Sequence, residues 1–167
     1  MFQIRQLNGN DVETIVATNG GAAWNGGLKK WNRRLAEHEA GQRIVLLALQ
    51  EPDILAYGSI LWSPPYQPFR EGGIPEIQDL VVAEQHRRRG IGSRLIAALE
   101  HLARERGCKQ VGLGVGLYAD YGPAQRLYVK RGYIPDGRGL TYKYLPARGG
   151  ENFRIDDDLL LWLVKSL

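Results

Sequence analysis

The stretch from Ile74 to Tyr133 constrains the fold more than any other part of the chain, because it alternates strand, helix, strand and helix signals without a linker. Ile74 to Val82 reads as a strand. Gly90 to Arg106 follows as a helix with an apolar stripe of Ile91, Leu95, Leu99 and Leu102, and Gly107 is its stop. Gln110 to Leu117 returns as a strand, and Asp120 to Lys130 is a helix that tolerates Pro123 in its first turn. A helix with one apolar stripe has to bury it against another element, and the neighbouring strands supply the surface. That order predicts a layered α/β (mixed α+β) arrangement.

The flanks add antiparallel character. Phe2 to Leu7 alternates as a short strand, and Asp11 to Thr18 is a short helix. Leu28 to Ala40 carries Leu28, Trp31, Leu35 and Ala36 at helical spacing. Arg43 to Leu49 and Ile54 to Trp62 form a hairpin around Glu51-Pro52-Asp53. Ser63 to Gly73, with prolines at 64, 65 and 68, reads as a loop. Two more strands are expected near Tyr133 to Leu145 and Leu159 to Lys165, the last covered on both faces. A length of 167 residues fits one domain, 1–167. The single cysteine, Cys108, excludes an internal disulfide. The N-terminus lacks a signal-peptide pattern and no run approaches a membrane span, so we expect a cytoplasmic protein without a membrane partner. A net charge of +4 is too mild to imply nucleic-acid binding by itself, yet the run Arg87-Arg88-Arg89 needs an explanation.

That run lies in Leu80-Val-Val-Ala-Glu-Gln-His-Arg-Arg-Arg-Gly-Ile-Gly-Ser93, where a strand ends, a basic turn follows, and two glycines open an amphipathic helix. The first helical turn offers free N–H groups and the positive end of the macrodipole. Gly90 and Gly92 let a phosphate approach the backbone, and Arg87 to Arg89 supply charge. A pyrophosphate suits such a cradle; a glycine-assisted turn beside a solvated basic run is the plainer alternative. A dinucleotide fingerprint is excluded by Leu95, and a P-loop by the missing Gly-Lys-Ser/Thr.

Arg87-x-x-Gly90-x-Gly92, preceded by Leu80-x-Val82, resembles the Gln/Arg-x-x-Gly-x-Gly/Ala signature of GNAT acyltransferases. The later Ala124-Gln-Arg-Leu-Tyr128-Val-Lys-Arg-Gly-Tyr133 is similar to the second signature of that family. The resemblance implies a GNAT-like single domain with a central mixed, mostly antiparallel sheet of about seven strands and about four helices. It implies acetyl-CoA as acyl donor and an amine, small-molecule or peptide, as acceptor. Leu80, Val81 and Val82 would pair with the pantetheine arm. Arg87, Arg88, Arg89, Gly90, Ile91, Gly92 and Ser93 would hold the pyrophosphate, with Ala124 also on the donor. Members commonly carry Asn where this chain has Tyr121.

Acetyl transfer to an amine needs a neutral nucleophile, a stabilised oxyanion and a protonated leaving thiolate. Tyr128 stands where many members carry the acid, and a tyrosine packed on the sheet is the alternative. Glu76 is the first candidate for the base and Asp79 the second, although strand alternation puts them on opposite faces. A solvent-facing carboxylate is the plainer reading of Glu76. In Val111 to Leu117, Gly112, Gly114 and Gly116 share one face, so either a tightly packed helix or the cofactor is expected there. His38, His86 and His101 show no metal spacing, and no metal is expected. Trp24, Tyr66 and Phe69 are candidates for the acceptor pocket, with Trp31 and Trp62 beside them, and Glu71 and Glu76 would favour a cationic amine. These aromatics would otherwise cover the sheet edge or make a homodimer contact. A small nucleic-acid-binding module and an acyl-CoA sensor without turnover are the competing functions.

Overall fold

The computed structural model describes residues 1–17 and 27–167. In chain order the elements are β1 Gln3–Gln6, α1 Asp11–Ala17, α2 Gly27–Glu39, β2 Arg43–Gln50, β3 Asp53–Leu61, α3 Gln67–Glu71 and β4 Glu76–Val82. After them come α4 Ile91–Glu105, β5 Gln110–Gly116, α5 Gly122–Lys130, β6 Ile134–Tyr142, β7 Leu145–Pro146 and β8 Leu159–Ser166. The fold is mixed α/β, with one strand and one helix more than the sequence predicts: β7 is a two-residue strand, and α3 lies inside the stretch expected to be a loop. Pro68 in the first turn of α3 fits there because that position needs no N–H. No helix among the described residues is long and apolar enough to cross a membrane. The chain divides into two compact units, Met1–Trp62 with Ile77–Leu102 and Ser63–Glu76 with Ala103–Leu167.

In the first unit the strands run in the order β1-β2-β3-β4. β1 with β2 and β2 with β3 are antiparallel, the second pair slipping register between Ala48 and Leu49. β2 is an almost unbroken apolar run because both its faces are buried. One cluster gathers Leu7, Val12, Ile15, Trp31, Val45, Leu47 and Tyr57, with Trp31 set edge-on to Tyr57. In α4, Ile91, Leu95 and Leu99 are fully buried as the periodicity predicts. Leu80 and Leu99 both reach Gly58, where an added Cβ would stand 3.1 Å and 3.3 Å from them. That glycine therefore lets α4 come close to the sheet. Leu28 departs from the expected stripe of α2: it sits in the first turn and is 54% exposed.

In the second unit Glu76, the first residue of β4, pairs in parallel with Gly112 of β5. From there the order is β5-β8-β6-β7, with antiparallel pairs throughout. β6 leaves the ladder between Pro135 and Leu140, where Gly137 and Gly139 take positive φ of 82° and 78°. The glycine face of β5 is covered at Gly112 by a helix residue, Phe69 of α3, and at Gly114 and Gly116 by rings from other elements. A Cβ on Gly112 would fall 2.2 Å from the Phe69 ring, and one on Gly116 would fall 2.4 Å from Tyr121. Gly114 lies opposite Trp162 of β8, whose ring fills the space above it. Tyr66 stacks on Trp162 at 4.0 Å, and Phe69 meets Trp162 edge-on at 5.3 Å. The small face of β5 is thus the complement of large rings brought by other elements.

Candidate active site

The residues expected to hold the donor lie in the first unit, apart from Ala124. β4 follows β3 in the first unit's strand order, and its residues Leu80, Val81 and Val82 are half-buried. Beyond it the chain is pinned before it turns. The Ala83 N–H donates to Leu55 O at 2.9 Å, and a short 3-10 turn occupies Glu84–His86. Arg87 Nε donates back to Val82 O at 3.3 Å, and Arg89 meets His86 Nδ1 at 2.9 Å. Arg88 and Gly90 then both adopt left-handed backbone, at φ 60° and 77°. Such residues in alternation with right-handed ones turn successive N–H groups toward one side. The helical ladder first closes with Arg94 N–H on Gly90 O at 3.1 Å, so the N–H groups of Ile91 and Gly92 precede it. A Cβ on Gly90 would meet nothing within 4 Å, so the loop is open in front of that residue. Arg87, Arg88 and Arg89 are all exposed, and Ile91 is buried as the anchor of α4. These features fit a pyrophosphate: helix-start N–H donors, an open glycine and exposed positive charge.

The candidates for chemistry lie in the second unit. Tyr128 sits in α5 and is buried at 8% exposure, its ring 6.0 Å from that of Tyr133. Burial pushes its phenol up to about 12. Its hydroxyl has no hydrogen-bond partner among the described residues, so the proton is not committed elsewhere. Ala124, one turn earlier on α5, is half-buried. Glu76 is buried at 5% exposure, which rules out the solvent-facing reading of this carboxylate. Tyr121 stands in place of the expected Asn. Its ring packs over Gly116 and its hydroxyl donates to Asp157 at 2.9 Å, alongside that of Tyr118.

Asp79 corrects the expectation of regular alternation along β4. Its φ is 53°, which bulges the strand, and Gln78 and Asp79 consequently both reach Arg43. Arg34 pairs with Asp79 at 2.7 Å, so the second candidate base is tied up as an ion-pair partner. Arg34 and Arg43, which hold this bulge, are site-forming residues that sequence reasoning misses. The available signal is an arginine heading an otherwise apolar strand, since a charge at such a place needs partners.

The aromatic candidates for the acceptor divide. Trp24 lies outside the described residues. Tyr66 and Phe69 are core residues, at 3% and 1% exposure, with the Tyr66 hydroxyl donating to Asp136 at 2.7 Å. Their surfaces are spent on Trp162 and β5, which is the sheet-covering alternative rather than the pocket. Trp31 is equally buried, but its indole N–H finds no acceptor among the described residues. Trp62 is half-buried. Glu71 is exposed and accepts from Gln67 at 2.7 Å. No group of three or more His, Cys, Asp or Glu among the described residues could hold a metal.

A model of the acetyltransferase (GNAT) family matches residues 18–133. No curated protein sequence matches the chain. Solved structures of similar fold include a ribosomal-protein-alanine N-acetyltransferase from Brucella melitensis, 24% identical with a TM-score of 0.73, covering 99% of each chain. A Salmonella typhimurium protein with its cofactor acetyl-CoA is 20% identical at a TM-score of 0.69, covering 99% of this chain and 94% of that one. An N-acetyltransferase from Thermoplasma acidophilum in complex with coenzyme A is 13% identical at a TM-score of 0.69, covering 100% of this chain and 99% of that one.

Proposed function

This chain belongs to the GNAT acetyltransferase family, and from that membership we propose that it transfers an acetyl group from acetyl-CoA to a primary amine by direct attack. The observation that carries the reading is the loop before α4, where Arg88 and Gly90 are left-handed and the space in front of Gly90 is open. Arg87, Arg88 and Arg89 with the N–H groups of Gly90 to Ser93 would bind the pyrophosphate, and the edge of β4 from Leu80 to Val82 would pair with the pantetheine arm. Acetyl-CoA supplies a thioester carbonyl activated toward amines.

Glu76 accepts a proton from the acceptor ammonium, directly or through water, leaving a neutral amine to form the new C–N bond. Tyr128 gives its phenolic proton to the departing sulfur as the C–S bond breaks. A phenol with a raised pKa stays protonated at neutral pH but is a weaker acid than a thiol at about 8.5, so Tyr128 hydrogen-bonds the developing thiolate and completes the transfer only as its own proton is replaced. Nitrogen loses a second proton as the amide forms, and this proton restores the Tyr128 phenol that protonated the sulfur; the first, held by Glu76, is released to solvent, so amine and thioester give amide and free thiol.

The test is calorimetric titration with acetyl-CoA, together with thiol release in the presence of an amine panel. Wild-type protein should bind in the micromolar range, and Gly90→Glu should abolish binding by placing a carboxylate in the phosphate cradle. Binding that survives Gly90→Glu refutes the cradle. Tight acetyl-CoA binding without thiol release from any amine refutes the transferase reading in favour of a sensor.

A further inference from the structure

We propose that a cleft in the second unit, between the turn that closes α3 and the turn that leads into β5, binds a small phosphate monoester. The cleft has a volume of about 260 Å³, with residues 72–74 as one wall and residues 106–110 as the other. Neither wall carries a carboxylate, and the second brings the guanidinium of Arg106 and the ammonium of Lys109. Both side chains are exposed, and Lys109 has no carboxylate within 4.0 Å among the described residues. The walls are fixed by their own backbone. Gly73 turns at φ 64°, and Ile74 N–H closes that turn on Phe69 O at 2.9 Å. Gly107 turns at φ 78°, with its N–H on Arg104 O at 2.8 Å and that of Cys108 on Ala103 O at 3.0 Å.

Between the walls a ladder bond is missing. Gln110 stands opposite Ser166 and Val111 opposite Lys165. Leu167 N–H donates to Lys109 O at 3.0 Å, so the odd-numbered residues of this stretch turn their backbone groups to β8 and the even-numbered ones turn away. Gly112 N–H accordingly donates to Pro75 O at 3.0 Å on the other side. The same ladder, continued, would join Gln110 N–H to Gly73 O, and no such bond is made. The two segments have parted there, and the Gln110 N–H faces the gap. An amide donor, a guanidinium and an ammonium with no acid among them select an anion. The three outer oxygens of a phosphate monoester can take a guanidinium fork and still leave one for the ammonium, whereas the two of a carboxylate are used up by the fork. The volume lies just below the usual ligand-pocket range of roughly 300–1,000 Å³, which admits a monophosphate on a few carbons and excludes a nucleotide.

Cys108 lines this cleft, is half-buried, and is the single cysteine of the chain, so its thiol reports on this place alone. Alkylation by iodoacetamide, followed as intact mass, is measured with inorganic phosphate, glycerol 3-phosphate, glycerol and malonate as probes, beside thermal melts. At ten times its Kd, either phosphate should slow alkylation by about tenfold and raise Tm by about 3–6 °C. Glycerol should do neither. Lys109→Gln should weaken phosphate protection by about tenfold, as expected for loss of a charged hydrogen bond. Protection kept in Gly90→Glu and reduced in Lys109→Gln places the anion in this cleft; the reverse pattern places it in the loop before α4 and overturns the proposal. Protection by glycerol or malonate equal to that by glycerol 3-phosphate, or no protection by either phosphate, overturns it as well.

Discussion

Gly112→Ala isolates the packing of the glycine face of β5. The new methyl would stand 2.2 Å and 2.3 Å from two carbons of the Phe69 ring and 3.1 Å from Leu163 O. Carbon atoms rest at roughly 3.5–4.0 Å, so the ring has to retreat by about 1.5 Å. It has nowhere simple to go. Phe69 is 1% exposed, abuts Trp162 at 5.3 Å and Tyr66 at 4.9 Å, and Tyr66 is itself stacked on Trp162. Overpacking of this kind costs about 1–3 kcal/mol, and the immobility of the ring places Gly112→Ala near the upper end. At this chain length about 3 kcal/mol corresponds to a fall of roughly 6–12 °C in Tm. Gly114→Ala meets its neighbours only at 3.1–3.2 Å, and should cost about 1 kcal/mol and roughly 2–4 °C. Thermal melts of both variants, with acetyl-CoA calorimetry on each, make the measurement. Phe69→Leu in the Gly112→Ala background should recover part of the loss, since the clashing ring edge is removed. A Gly112→Ala variant with wild-type Tm refutes the packing argument; unchanged Tm with lost donor affinity would show instead that the glycine face walls the cofactor.

Other expectations follow from single groups. Tyr128→Phe should lower kcat by ~10²-fold with little change in acetyl-CoA affinity; wild-type turnover would end the general-acid role. Because burial holds the Tyr128 phenol up to about 12, the acid form persists through ordinary alkaline buffers, so kcat should show no loss of an acid near pH 10; a descending limb there that Tyr128→Phe removes would contradict this. Glu76→Gln should depress the rate most at low pH, where the amine is protonated, and an unchanged pH–rate profile leaves Glu76 structural. Burial raises the Asp11 carboxyl, but the bidentate Arg5 contact at 2.7 Å and the Asn8 N–H outweigh it and hold the pKa below its usual value. Its contribution is therefore present above the unfolded value of about 4 and lost as pH falls through the folded one; Asp11→Asn should cost about 1 kcal/mol at neutral pH and progressively less in acid, followed by urea melts across pH.

Most of the regular elements were legible because each announces its own period. The stripe Ile91, Leu95 and Leu99 and the stop at Gly107 fix α4, whose left-handed C-terminal glycine is observed at φ 78°. The Arg87 to Gly92 loop was legible for a related reason: a left-handed glycine before a helix is a local chemical requirement. What could not be read is long-range. Three glycines on one face of β5 state that something large approaches, but not that it is Phe69, Trp162 and Tyr121. The same blindness made Tyr66 and Phe69 look like loop aromatics free for an acceptor. Tyr121 in place of Asn packs over Gly116 and bonds Asp157, the latter far along the chain. Nor does any local pattern mark Asp79 as left-handed; its ion-pair partners Arg34 and Arg43 are distant in sequence.

That last contact connects the fold to the chemistry. A left-handed Asp stores backbone strain that only its surroundings can sustain. Here the surroundings are a guanidinium from β2 and another from α2. Arg43 is 2% exposed and spends its donors on Glu37 at 2.7 Å, Ser59 at 2.6 Å and Gln78 at 2.9 Å, with Asp79 at 3.7 Å. Burial lowers its pKa and Arg34 adds to that, while Glu37 and Asp79 offset them; an arginine stays charged regardless. A buried charge so fully bonded specifies geometry more than it adds stability, because its desolvation cancels much of the attraction. What it specifies is the register of β4. With the left-handed Asp79, Gln78 accepts from Arg43 of β2, Asp79 pairs with Arg34 of α2, Leu80 turns to Gly58 and α4, and Val81 packs on the core cluster. Without it, every residue from Asp79 to Val82 would exchange faces. The course of β4 through Leu80 to Val82, which the proposed pantetheine contact requires, is therefore tied to this ion cluster, and Arg43→Met should weaken acetyl-CoA binding by calorimetry if that contact is made.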